Sequence, residues 1–267
     1  MMGDPPLFPQ KHYRKEDVMP KDWLRNALAE GIGIFALIFF GAGSIVMNAH
    51  TNGGVGLLGI AVAHAVALAI AISATMNISG GHINPAVTIT MALLKRISLP
   101  MAGAYLVSQL LFATLAAFAL NALMPAAAVD AAKLGTPLLS EGVSAGQGVA
   151  IEVILTFFLG VGIFGTAVHP KAPKTLAGFG IGLVLLFDIL VAGPLTGASM
   201  NPARTLGPAL VSGNWANHWV YWVGPVLGLA LAGAVYEFVL GSREKAEAPA
   251  PRETAAPQRP ATRSGRR

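Results

Sequence analysis

Two asparagines, Asn84 and Asn201, each precede Pro-Ala in a small, Gly-rich frame, and each could offer an amide to a passing polar molecule. The first frame reads Ile78-Ser79-Gly80-Gly81-His82-Ile83-Asn84-Pro85-Ala86-Val87-Thr88. The second reads Leu195-Thr196-Gly197-Ala198-Ser199-Met200-Asn201-Pro202-Ala203-Arg204-Thr205. Asn is a strong N-cap and Pro is favoured at the first helical position, so both frames predict the start of a helix. A helix start carries free backbone N–H groups and roughly half a positive charge. Two such starts meeting head-on inside apolar sequence would make an electropositive centre with two amide NH2 groups. An Asn can cap with its oxygen and donate with its nitrogen, so capping and lining a pore are compatible roles. A water passing there would have its oxygen held and its hydrogens pointed away, while a cation, hydronium included, would meet a repulsive field. Arg204 lies three residues after Asn201, one helical turn outward on the same face. An arginine within membrane sequence is costly and functional by default. The chemistry on offer is selective passage. His64, Arg204 and Asp188 show no nucleophile–base spacing that would support an enzyme.

The elements that must hold these groups follow from hydropathy. The chain has 267 residues, 54% of them hydrophobic and 12% charged, with a mean hydropathy of +0.61. A soluble domain carries about 25% charge, so this composition belongs in a lipid bilayer. Six stretches are long enough to cross a hydrocarbon core of ~30 Å. They run approximately Leu24 to Met47, Val55 to Met76, Met101 to Met124, Gly148 to Val168, Leu176 to Ala192 and Trp219 to Leu240. The stretches Asn84 to Leu94 and Asn201 to Val211 are shorter, each covering ~16 Å at the helical rise, about half the bilayer. Neither carries the Lys-rich face of a surface helix, so both read as half-helices entering the membrane.

Charge placement sets the orientation. Lys and Arg gather in the N-terminal tail (Lys11, Arg14, Lys15, Lys21, Arg25) and in the C-terminal tail beyond Gly241. The others are Lys95 and Arg96 before the third span and Lys171 and Lys174 between the fourth and fifth. With six spans all four regions fall on one face, which is the cytoplasm, with both termini inside. Only Lys133, which suits an external loop, and Arg204 remain. The net charge of +5 thus reflects topology and gives no argument for a nucleic-acid partner. There is no cysteine, hence no disulfide framework and no thiolate metal site. The expectation is no cofactor and no metal. The polar first 22 residues show no apolar core of a cleavable signal.

The two halves are alike. Glu30 opens the first span and Glu152 the fourth; 54 residues separate Glu30 from Asn84 and 49 separate Glu152 from Asn201. Three spans per half place the second half upside down relative to the first, an inverted repeat with broken helices meeting near the midplane. The expected organisation is a cytoplasmic tail over 1–22, a channel unit over 23–241 and a disordered tail over 242–267. Its repeats cover about 23–124 and 147–241.

With its paired Asn-Pro-Ala motifs, repeated glutamate, six spans and Arg204, the chain resembles the aquaporin, or major intrinsic protein, family over about Asp22 to Gly241. The resemblance implies an all-α membrane protein, a right-handed bundle of six tilted helices plus two re-entrant half-helices. It also implies one pore per subunit, a homotetramer, and water and small neutral solutes as the molecules handled. The electropositive barrier described above is the device known in aquaporin-type pores. In the family the Arg204 position supplies the fixed cation of a narrow outer filter. The same alignment assigns to that filter His64 on span two, Ile189 on span five and Ala198 before the second motif.

Orthodox water channels carry Phe at the His64 position and His at the Ile189 position. The combination here is similar to that of plant tonoplast intrinsic proteins. It implies water transport, with ammonia, urea or hydrogen peroxide as further permeants. Glycerol facilitators, the chief rival, usually carry Asp after the arginine and Lys four residues later, where this chain has Thr205 and Ala209. A gradient-coupled secondary transporter is the more distant rival, since inverted repeats and broken helices occur there too. By family analogy Glu30 and Glu152 accept hydrogen bonds from the re-entrant backbone, with Gln109 in similar scaffold work; proton relay is the alternative. His82 orders the first turn or faces the cytoplasmic mouth. Asp188 adjoins Ile189 and is expected to bond loop backbone, with pore access as the second reading. The lack of cysteine and of a targeting signal leans towards a bacterial plasma membrane, while the filter's likeness to the tonoplast proteins leaves a vacuolar address open.

Overall fold

A long apolar segment in lipid must satisfy its own backbone, and a helix does so within a single stretch. The structure, a computed structural model, describes residues 19–240. The disordered tail expected over 242–267 and most of the N-terminal tail lie outside the described residues. In chain order the α-helices are α1 (Trp23–His50), α2 (Gly56–Thr75), α3 (Pro85–Leu93), α4 (Leu99–Leu123), α5 (Ala126–Ala131), α6 (Ala145–Ile163), α7 (Ala177–Thr196), α8 (Pro202–Ser212) and α9 (Val220–Val235). Single π-helical turns, Phe164–Val168 and Tyr236–Leu240, prolong α6 and α9 into apolar stretches of 24 and 21 residues. Six helices are therefore long and apolar enough to cross a membrane, and the chain is an integral, multi-pass membrane protein.

Two features depart from the sequence reading. The short helix α5 and the turn after it fill what reads as a plain loop. In that turn Lys133, Leu134 and Gly135 all take left-handed backbone, with φ of 47°, 52° and 67°. The fifth span does not stop at Ala192: α7 continues through Pro194 to Thr196. Its last carbonyls are served from the α5–α6 connection, where the Ser140 hydroxyl donates to the Pro194 carbonyl and the Ser140 N–H to that of Leu195 at 2.9 Å. Gly197, left-handed at φ 82°, then ends the helix.

Packing repeats across the halves. In the first, α1 lies against α2 and α4; in the second, α6 lies against α7 and α9. The half-helices cross over. α3 packs on α9 of the opposite repeat, α8 packs on α4, and α2 and α7 meet each other. Small residues permit these approaches. A Cβ on Gly182 of α7 would stand 2.6 Å from the Ala65 carbonyl oxygen of α2, well inside contact distance. Arg96, beyond the inner end of α3, pairs with Glu237 in the turn after α9 at 2.9 Å, a second tie between the repeats.

The loop between α8 and α9 holds a pH-sensitive corner. The Trp222 indole N–H donates to His218 Nε2 at 3.2 Å, and the Trp215 ring lies 4.8 Å from the imidazole. Burial pushes His218 below its ordinary value, so the fold favours the neutral ring. Its contribution is complete above the unfolded value of about 6.5 and is lost as pH falls from there through the lower folded value. The thermal midpoint is expected to drop between pH about 7 and about 5 by more in the wild type than in His218→Gln, whose side-chain oxygen still accepts from Trp222. Parallel melting curves for the two proteins would refute this.

Candidate functional site

Each half-helix begins as its residues require. Asn84 is extended (φ −160°, ψ 121°) and its side-chain oxygen accepts the Ala86 N–H at 2.9 Å, with Pro85 in the first helical position. Asn201 is also extended (φ −152°, ψ 110°) and accepts from Ala203 and Arg204 N–H at 3.1 and 3.3 Å, with Pro202 following. Ala86 and Ala203 are fully buried and let the two first turns approach. The residues just before the motifs are unusual. Ile83 and Met200 have φ of 51° and 52°, a left-handed conformation that costs a β-branched residue such as Ile83 about 1–3 kcal/mol. Ala198 is left-handed as well, at φ 42°.

What holds them there is a pair of buried carboxylates. Glu30 accepts from the N–H groups of His82 (2.9 Å) and Ile83, the Ser79 hydroxyl (2.6 Å) and the Gln109 amide (2.9 Å). Glu152 accepts from the N–H groups of Ser199 (3.0 Å) and Met200 (2.8 Å) and from the Thr196 hydroxyl (2.7 Å). Both glutamates are fully buried. The correspondence continues outward: Tyr105 donates to the Ser79 carbonyl and Tyr221 to the Thr196 carbonyl, each at 2.7 Å. Gln109 also donates to Thr88 Oγ1 at 3.0 Å, and His82 Nδ1 contacts that hydroxyl at 3.1 Å. The His82 ring meets Tyr105 edge-on at 5.4 Å.

The two motifs are tied to each other. Asn84 Nδ2 donates to the Met200 carbonyl at 2.8 Å, and Asn201 Nδ2 donates to the Ile83 carbonyl at 2.9 Å. An amide nitrogen carries two N–H groups, so one on each Asn is spent on the opposite repeat and one is left over. Both asparagines line a cavity of about 350 Å³. Along α2 its wall is formed by His64, Leu68, Ile72 and Met76, successive positions four residues apart. Ala198, Arg204, His82, Arg96 and Lys174 also line the cavity. The cavity therefore runs past both Asn side chains.

Arg204 is 2% exposed, and its Nη1 donates to the Gly135 carbonyl at 2.8 Å. The left-handed turn that follows α5 thus presents one backbone oxygen to the arginine. His64 Nδ1 lies 2.9 Å from the Ile60 carbonyl. A carbonyl only accepts, so the proton sits on Nδ1 and the neutral ring keeps Nε2 as an acceptor. Ile189 is 3% exposed, packs in the apolar core and is not in the cavity wall, although Ile181 and Leu185 of the same helix are. The loop-backbone bond expected for Asp188 is not formed: its Oδ2 is buried with no partner among the described residues. Asp188 is also absent from the cavity wall.

Sequence reasoning gave no scaffold role to Ser79, Thr196, Tyr105, Tyr221, Thr88 or Thr205, whose hydroxyl meets that of Ser199. A signal for them was present. Ser79 and Thr196 stand five residues before their Asn, and Thr88 and Thr205 stand four after.

Comparison with known proteins agrees with this geometry. A family profile described as major intrinsic protein matches residues 18–236. Aquaporin TIP4-4 of Zea mays is 44% identical over 224 residues, covering 80% of this chain and 86% of that protein. Probable aquaporin TIP3-2 of Arabidopsis thaliana is 43% identical over 243 residues, covering 85% and 88%. Among solved structures, the aquaglyceroporin from Plasmodium falciparum superposes with a TM-score of 0.73 at 24% identity, covering 82% of this chain and 97% of that one, a likeness of fold.

Proposed function

We infer a passive water channel from one premise: the chain belongs to the major intrinsic protein family. The observation that carries the mechanism is the reciprocal pair of Asn–carbonyl bonds made by two asparagines that both line the cavity. Each Asn keeps one N–H for the lumen, and the positive ends of α3 and α8 face the same point. A water arriving there accepts from both amides with its oxygen, so it can no longer accept from a neighbour in the file, and its two hydrogens donate outward. Protons and cations meet the field of both helix ends and of Arg204. The reaction is passage without chemistry, and the protein is not an enzyme. Osmotic shrinkage of proteoliposomes in a stopped-flow instrument tests the claim; a rate equal to that of empty liposomes overturns it.

The filter assignment goes further. His64, Ala198 and Arg204 form the selective constriction in this proposal, with Asn84-Pro85-Ala86 and Asn201-Pro202-Ala203 as the central barrier; Ile189, the remaining filter residue of the family pattern, lies outside the cavity wall. Glu30, Glu152, Gln109 and His82 act as its scaffold. Arg204 N–H groups and the His64 Nε2 lone pair offer a donor and an acceptor, which suits ammonia, urea and hydrogen peroxide beside water. His64→Phe removes the acceptor and adds bulk. It is expected to leave water permeability within about twofold while lowering urea or ammonia uptake ~10-fold, a barrier higher by ~1.4 kcal/mol. Undiminished urea and ammonia uptake would count against the assignment.

The channel unit spans 23–241 in this reading, with repeats of about 23–124 and 147–241 and both tails in the cytoplasm. A homotetramer is its assembled form. The bacterial plasma membrane as its address rests on composition alone; the relatives named above are plant proteins and lend that address no support.

A further inference from the structure

We propose that Gly41, on α1, is a specificity-determining position, because the side chain it lacks is the space in which the His64 ring sits. The proposal rests on the channel reading above. α1 and α2 pack along each other, and both Gly41 and His64 are buried in that contact. A Cβ built on Gly41 would stand 2.5 Å from His64 Cδ2, 2.7 Å from Nε2 and 3.0 Å from Cγ. Carbon atoms settle at about 3.5–4.0 Å, so the ring would have to retreat by ~1 Å.

The direction of that retreat is constrained. On one side the ring is held by its Nδ1–H bond to the Ile60 carbonyl of its own helix. Behind it lies α1. The remaining free side is the cavity, whose wall His64 shares with Ala198 and Arg204. A methyl group at Gly41 therefore drives the imidazole into the lumen, strains or breaks the Ile60 bond and frees the tautomer that it fixes.

Helix propensity sharpens the point. Glycine within a helix costs about 1 kcal/mol relative to alanine. Local preference would favour alanine at this position, as at the adjacent Ala42; the close fit of the His64 ring is the feature that requires glycine. Gly103 in α4 provides the contrast: a Cβ there meets nothing within 4 Å, so it tests the helix effect without the steric one.

The experiment uses the full chain reconstituted in liposomes, with stopped-flow measurement of water and urea permeability. Wild type is compared with Gly41→Ala, His64→Ala, the double variant and Gly103→Ala. Gly41→Ala is expected to lower water permeability several-fold and urea permeability by about 10-fold, and Gly103→Ala to change neither. The double variant is expected to return to the values of His64→Ala, because the added methyl no longer has a ring to displace. If wild type passes no urea, the water measurement alone decides. Gly41→Ala indistinguishable from wild type overturns the proposal. So does a double variant as impaired as Gly41→Ala, since the methyl would then be disturbing the helix pair instead of the ring. Should Gly41→Ala fail to fold, recovery of folded protein in the double variant supports the steric fit and failure to recover overturns it. Wild-type liposomes no more permeable than empty ones would defeat the channel reading itself, and this inference with it.

Discussion

Glu152→Ala is expected to yield no conducting protein, and little folded protein of any kind. Three donors lose their acceptor together: the Ser199 and Met200 N–H groups and the Thr196 hydroxyl. All three residues are buried, so no solvent replaces the carboxylate. A buried donor left unpaired costs about 1–3 kcal/mol, hence ~3–9 kcal/mol for the set, against a whole-protein stability of about 5–15 kcal/mol. The loss falls where the chain is least able to absorb it, because the same carboxylate holds Met200 in its left-handed conformation. Glu152→Gln should be intermediate: it retains one acceptor oxygen but turns an NH2 group toward donors. Thermal unfolding in detergent and osmotic permeability both read the effect. A Glu152→Ala protein that melts and conducts like wild type would show that the network is not what holds α8 in place.

Arg204→Ala is expected to let cations leak. Removing a fixed charge ~5 Å from the permeation path, at an effective dielectric of about 20, takes away ~3 kcal/mol of repulsion toward a monovalent cation. That corresponds to roughly a 100-fold rise in cation or proton conductance. A second change acts in the same direction. The Gly135 carbonyl, now bonded to Arg204 Nη1, would lose its donor and turn its oxygen to the lumen, where it attracts cations. Water permeability should rise modestly as the constriction widens. Proton flux measured with a pH-sensitive dye inside the liposomes decides the matter, and flux equal to wild type would remove Arg204 from the filter.

Hydropathy and the paired Asn-Pro-Ala motifs were enough to place six spans and two half-helices. A continuous apolar run and a capped helix start are local properties of sequence. Other features were hidden for identifiable reasons. The end of α7 was misplaced because Pro194 reads as a stop. The carbonyls near that end are served by Ser140, more than 50 residues earlier in the chain. The left-handed Ile83 contradicts every local preference of a β-branched residue; the Glu30 contact within the first repeat and the Asn201 bond to its carbonyl hold it there. Ile181 and Leu185 line the cavity while Ile189, one more four-residue step along the same helix, packs in the core, a difference that the spacing alone does not reveal. Asp188 was expected to find a loop N–H, yet in the second repeat the two donors nearest the motif are already taken by Glu152.

The crossed Asn84–Met200 and Asn201–Ile83 bonds carry a consequence for biosynthesis. Neither repeat contains both partners of either bond. A nascent chain that has delivered only its first three spans holds an amide and a carbonyl with nothing to grip. The central constriction can close only after the last half-helix has entered the bilayer, so a selective barrier comes into being at one of the latest steps of synthesis.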